Sequence, residues 1–203
     1  MFRIKCVYIF WYQIVYNGLV SLWFKFTNRL YDSVYTVYDV SLCVGIRGWI
    51  VGFIVIGRES REVCYEVLTA EQIAKLCCLV AFIAIPTTII RPEVTGTGFF
   101  QWLSRLIYSM DSPDNLLPSV HCLENWICFR GAMKCKKVGK GYKIFTFVAA
   151  ILVFASTLMV KQHVVLDVVA AIVVVELGLF LSRRFNLSKI YFIIEDRLFK
   201  KTN

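Results

Sequence analysis

His163-Val164-Val165-Leu166-Asp167 opens an apolar run that reads VVLDVVAAIVVVELGLFL over 164–181, and this stretch decides the fold. It is long enough to cross a bilayer as a helix, and its only ionisable residues are Asp167 and Glu176. His163 and Asp167 are four apart, so on a helix they share a face and the carboxylate reaches one ring nitrogen. A histidine held that way presents its other nitrogen as a nucleophile or base. Continued upstream, the same helix puts Ser156, His163 and Asp167 on one narrow stripe, with Lys161 nearly opposite. A buried His–Asp bond that merely pins two helices is the plain alternative. An ionisable group at the bilayer centre costs about 3 kcal/mol on insertion scales, so apolar packing would serve that purpose better.

The rest of the chain is of the same grade. Hydrophobic residues make up 58% of the 203 and charged residues 18%, with a mean hydropathy of +0.64. Soluble domains carry about 45–50% apolar and about 25% charged residues, so the composition predicts an all-α integral membrane protein in one domain, 1–203. Apolar runs predict six spans at 4–24, 40–56, 73–90, 119–133, 144–160 and 164–181. The first follows Arg3 and Lys5 but has no small-x-small cleavage site and is aromatic throughout, so it reads as a retained anchor. The fourth is short and holds His121, Glu124 and Arg130, which should face the bundle interior. The eight cysteines lie mostly inside apolar runs, where they act as small hydrophobes; no C-x-x-C spacing or histidine cluster suggests a metal.

Net charge is +9, from 23 Lys and Arg against 14 Asp and Glu. The basic residues gather in loops and at the C-terminus, the pattern of cytoplasmic loops rather than of a nucleic-acid surface. Lys134, Lys136, Lys137, Lys140 and Lys143 lie between spans four and five; Arg183, Arg184, Lys189, Arg197, Lys200 and Lys201 follow span six. Both regions, and with six spans the N-terminus too, are therefore expected in the cytoplasm. The loop after span two mixes Arg58 and Arg61 with Glu59, Glu62, Glu66 and Glu71 and votes weakly. The arrangement puts 91–118 and the turn at 161–163 on the opposite face, so both histidines converge there. Residues 186–199 are expected to lie at the inner surface as an amphipathic helix, with Ile190, Ile194 and Leu198 on one side.

His121 is the only other histidine, in Pro118-Ser119-Val120-His121. Proline is favoured at the first position of a helix, and a helix start offers N–H groups and a positive dipole end to an anion. The Ser119 hydroxyl adds a donor, and His121 stands one turn inside. Arg91-Pro92 follows span three; a guanidinium there suits two phosphate oxygens, although a snorkelling interfacial arginine is the plainer account. Glu124, one turn after His121, either acts on that ring or pairs with another residue of the bundle.

Arg-Pro, then Pro-Ser-x-His, then His-x-x-x-Asp, each at the outer end of a different span, resembles the type 2 phosphatidic acid phosphatase superfamily. Pro86-Thr87-Thr88-Ile89-Ile90-Arg91-Pro92-Glu93 and Asp111-Ser112-Pro113-Asp114-Asn115-Leu116-Leu117-Pro118-Ser119-Val120-His121 look most like its inositol phosphorylceramide synthase and sphingomyelin synthase-like lipid phosphotransferases. The resemblance covers about residues 73–182. It implies a six-transmembrane-helix bundle and a mechanism that uses no metal or cofactor. By the same resemblance His163 attacks phosphorus to give a phosphohistidine, Asp167 orients its ring, and His121 protonates the leaving alkoxide. Arg91 and Ser119 bind phosphate oxygens. Two positions depart from the family pattern: Ala84 stands where the phosphatases have a lysine, and Thr157 where an arginine precedes the histidine. Lys161 is a substitute cation only if the helix breaks near Gln162.

The expected function is thus a membrane lipid phosphatase or phosphotransferase acting on a lipid phosphate in the bilayer, with its site on the extracytoplasmic face. Short loops favour a bacterial cell membrane. The competing class is a catalytically inactive membrane protein with a lipid-binding or structural role. A di-iron desaturase is excluded, because two histidines are too few for its metal ligands.

Overall fold

The computed structural model describes residues 52, 54–90, 93–98, 102, 105–106, 108–109, 113–159 and 162–199. Among them the regular structure is helical, with no strand. The first predicted span lies outside the described residues, as does most of the second, of which 54–56 are helical.

The first long helix, α1 (Arg61–Ala84), starts at Ser60, whose side chain accepts from the Val63 N–H at 3.2 Å, and carries Glu62 in its first turn. It stops at Ile85 because Pro86 follows, and the residue before a proline is pushed out of the helical region. After it come α2 (Val120–Lys134), α3 (Lys140–Met159), α4 (Val165–Arg184) and a short α5 (Lys189–Phe199). Helix α1 packs on α2 and α4, and α2 packs on α3 and α4.

Two helices, Arg61–Ala84 and Val165–Arg184, are long and apolar enough to cross a membrane. Both bury small residues at their contact, and α4 turns many of its large ones outward. Ala70, Ala74, Ala171 and Val175 are fully buried, while Val165, Leu166, Val173 and Phe180 on α4 point outward. That inversion suits a bilayer, where helices associate through close packing of small side chains rather than by fleeing water. Gly178 makes the closest approach: a Cβ there would stand 2.4 Å from the Ala70 carbonyl oxygen. A backbone atom cannot step aside, so Gly178→Ala must push α1 and α4 apart. We expect it to cost about 1–3 kcal/mol, read as a lower midpoint of thermal unfolding in detergent; an unchanged midpoint would refute the packing argument.

Helix α1 departs from the sequence expectation for 73–90. It begins twelve residues earlier and takes in Glu62, Glu66 and Glu71, which the hydropathy assigned to a loop. Glu62 is exposed, and the helix tolerates the other two because each finds a cation, one turn on or on another helix. Glu71 pairs with Lys75 at 2.8 Å, and Glu66 pairs with Lys134 of α2 and Arg183 of α4. Hydropathy averages a helix over all its faces and does not register such pairs.

Helix α5 also turns differently from expectation. Its protein-facing side carries Tyr191 and Glu195 rather than the isoleucines. Tyr191 stacks on Tyr65 with ring centroids 5.4 Å apart; Glu195 accepts from the Tyr65 hydroxyl at 2.9 Å and meets Arg61 at 3.3 Å. Ile190 and Ile193 are exposed, and Ile194 is half-buried. At this same end Glu59 accepts from the backbone N–H groups of Lys136 and Lys137 at 2.7 and 2.9 Å. Partial burial pushes its carboxyl up, but those N–H groups and the charges of Lys137 and Lys143 outweigh it and leave the group below the ordinary glutamate value. One end of the bundle is thus basic and ion-paired, and the other collects the histidines.

Candidate active site

At the histidine end α1 and α3 finish while α2 and α4 begin. Gln162 and His163 lie in a break between α3 and α4, not on a helix. Their N–H groups both donate to the Thr157 carbonyl, at 3.0 and 3.2 Å, which closes the turn. The expected continuous stripe of Ser156, His163 and Asp167 is therefore wrong. Ser156 belongs to α3, and Asp167 is the third residue of the next helix.

The His–Asp pair survives for a different reason. Asp167 reaches back over the start of α4, accepts from the Val164 N–H at 2.9 Å, and takes His163 Nδ1 at 3.2 Å on the same Oδ2. Its carboxylate also stands at the positive end of the α4 dipole. One carboxylate so caps a helix and sets an imidazole, leaving Nε2 as the ring nitrogen turned from Asp167. Both side chains are buried.

Ser119 and His121 arrive on the neighbouring helix. Ser119 is the residue that caps α2, accepting from the Cys122 N–H at 3.4 Å, and His121 is the second residue of the helix rather than a turn inside it. Pro118 precedes the cap and is not the first helical residue. The Ser119 N–H donates to the Asp167 carbonyl at 3.2 Å, a backbone tie between the two motifs. As a result the two imidazoles meet: their ring centroids are 6.1 Å apart, nearly edge to face at 73°.

Arg91 and Lys161, the expected phosphate cations, lie outside the described residues. The chain does break at Gln162, the condition set for Lys161. Of the two positions that depart from the family pattern, Ala84 ends α1 and is exposed. Thr157 is buried, donates to the Phe154 carbonyl at 3.0 Å, and lies 3.7 Å from the Cys122 sulfur. Glu124 pairs with Lys75 at 3.2 Å, so of its two readings the partner elsewhere in the bundle is the one found.

Sequence reasoning missed Lys75 and Thr87. Lys75 completes a buried Glu71–Lys75–Glu124 group below the histidines, and its signal was legible: a lysine inside a predicted span asks for a carboxylate partner. Thr87 accepts from two backbone N–H groups thirty residues away, which no local pattern announces.

The arrangement brings His163, Asp167, His121 and Ser119 together where α1 and α3 end and α2 and α4 begin. An imidazole set by a carboxylate, faced by a second imidazole, is equipped to attack an electrophile and to pass a proton to what leaves. No protein-family model, no curated protein and no solved structure matches the chain.

Proposed function

We propose that the chain is a membrane lipid phosphatase or phosphotransferase with a six-span bundle like that of the type 2 phosphatidic acid phosphatases. The observation that carries this reading is the meeting of its only two histidines, 6.1 Å between ring centroids, with Asp167 on Nδ1 of one. Reacting atoms stand about 3–3.5 Å apart in a productive complex, and rings this close can both reach one phosphoryl group and its leaving oxygen. His163 Nε2 attacks phosphorus, and the bond from phosphorus to the lipid oxygen breaks. His121 gives its proton to that oxygen, releasing diacylglycerol. It then takes a proton from water or an alcohol, whose oxygen displaces His163 from phosphorus. Asp167 balances the imidazolium that forms. Ser119 and Arg91 stabilise charge on the phosphate oxygens.

A lipid substrate is supported by the rim. Val164, Val165 and Leu166, next to His163, are exposed and apolar, a surface suited to acyl chains at the membrane boundary. On this reading the histidines face the extracytoplasmic side and both termini the cytoplasm, an orientation that the charge pattern of the loops supports. Thr157 favours the second reading, a catalytically inactive relative, because the position expected to carry an arginine holds a neutral side chain already engaged with Cys122.

Incubating the detergent-solubilised chain with phosphatidic acid or phosphatidylinositol labelled at phosphorus separates the two readings. The enzyme should acquire acid-labile, alkali-stable label and release diacylglycerol. Label that persists in His163→Ala would move the nucleophile elsewhere. Neither label nor diacylglycerol from the wild type would favour the inactive reading.

A further inference from the structure

The chain leaving α1 and the chain entering α2 run side by side just before Ser119 and His121. Thr87 joins them. Its Oγ1 accepts from the Leu116 N–H at 2.9 Å and the Leu117 N–H at 3.2 Å, and its carbonyl accepts from the Asn115 N–H at 2.7 Å. Ile89 N–H adds a bond to the Pro113 carbonyl at 3.0 Å, and Thr88 and Asp114 form an antiparallel bridge. A hydroxyl oxygen has two lone pairs and so can serve both amides at once.

Those amides belong to a segment with no helix or strand to satisfy them, and Leu116 is buried. Asn115 adopts a left-handed backbone at φ 56°, a bend that must be held from outside. Pro118 has no N–H, and Ser119 next donates to Asp167. Between the end of α1 and the cap of α2, the Thr87 hydroxyl therefore fixes the path of the chain four residues before His121. The same residue lies four before Arg91.

We propose that Thr87 is a positioning residue for the reaction: it sets where Ser119 and His121 stand relative to His163, through its hydroxyl and not through its bulk. This rests on the phosphotransfer reading above. Displacing a proton donor by about 1 Å can cost about 100-fold in rate, and the loss falls on the bond-breaking step rather than on lipid binding.

The test compares wild type, Thr87→Val and Thr87→Ser in detergent micelles of phosphatidic acid. It follows diacylglycerol release and, separately, hydrogen exchange at the Asn115, Leu116 and Leu117 amides. Thr87→Val should speed exchange at those amides and lower kcat between about 10- and 100-fold with KM within about threefold. Thr87→Ser, which keeps the oxygen, should restore kcat to within about threefold of wild type. Thr87→Ala serves the same purpose should valine prevent folding. Faster exchange with unchanged kcat would overturn the proposal while leaving the enzyme reading intact. A serine variant as slow as valine would overturn it too, because the hydroxyl would not be the cause. Absent turnover in the wild type removes the phosphotransfer reading, and with it the positioning role, whatever the exchange rates show.

Discussion

His163→Ala is expected to lower kcat for diacylglycerol release by ~10⁴-fold or more, with the chain still folded. On the proposed mechanism alanine removes the atom that bonds to phosphorus, so the two-step route closes altogether. His121 and the cations can then assist only a direct attack by water. His121→Ala should cost less, about 10²–10⁴-fold, since a leaving alkoxide can still find a proton from solvent. It should also slow the formation of labelled phospho-enzyme, because that step needs the acid. Folding should survive His163→Ala, because Asp167 keeps its bond to the Val164 N–H and so still caps α4. Measuring kcat on phosphatidic acid and the rate of labelling, beside circular dichroism of the same preparations, checks all four statements. A His163→Ala chain with more than about a tenth of wild-type kcat would refute the nucleophile.

Lys75→Met is the substitution expected to cost most in stability. Lys75 is buried between Glu71 at 2.8 Å and Glu124 at 3.2 Å, and Glu71 is itself fully buried. Methionine fills nearly the same volume but leaves two carboxylates in the bundle interior without their shared ammonium. Removing one partner from a buried ion pair costs about 3–5 kcal/mol, since the charge left behind has lost its water and gained nothing. The same logic predicts rescue: neutralising both acids in Lys75→Met/Glu71→Gln/Glu124→Gln should recover most of the loss. Unfolding followed by far-ultraviolet circular dichroism in detergent gives both numbers. A single variant as stable as wild type, or a triple variant no better than the single one, would show that the ion pairs are not what holds α1 to α2.

How far the sequence alone reached is seen at particular residues. The apolar runs identified α2, α3 and α4 to within a few residues, because a bilayer-length helix needs a continuous stretch that hydropathy registers directly. They missed the first half of α1, where Glu66 is neutralised by Lys134 and Arg183, remote in sequence, and Glu71 by Lys75 one turn on. The candidate residues His163, Asp167, His121 and Ser119 were all legible as motifs, since each pair lies within one short stretch. The geometry of the His163–Asp167 contact was not: i,i+4 spacing suggested a helical face, whereas a helix cap produces it.

Sequence by itself determined that the chain is helical and rich in bilayer-grade stretches, and which few polar side chains could do chemistry. Those properties depend on the local succession of residues. Only the tertiary structure decided that α3 breaks before His163, that Glu124 answers to Lys75, and that Thr87 ties the entry of α2 to the exit of α1. It also decided that two imidazoles forty-two residues apart come within 6.1 Å, ring centroid to ring centroid. The last three of these join groups distant along the chain, and such contacts are chosen by how helices pack and which buried polar groups find partners, quantities that no window of neighbouring residues contains.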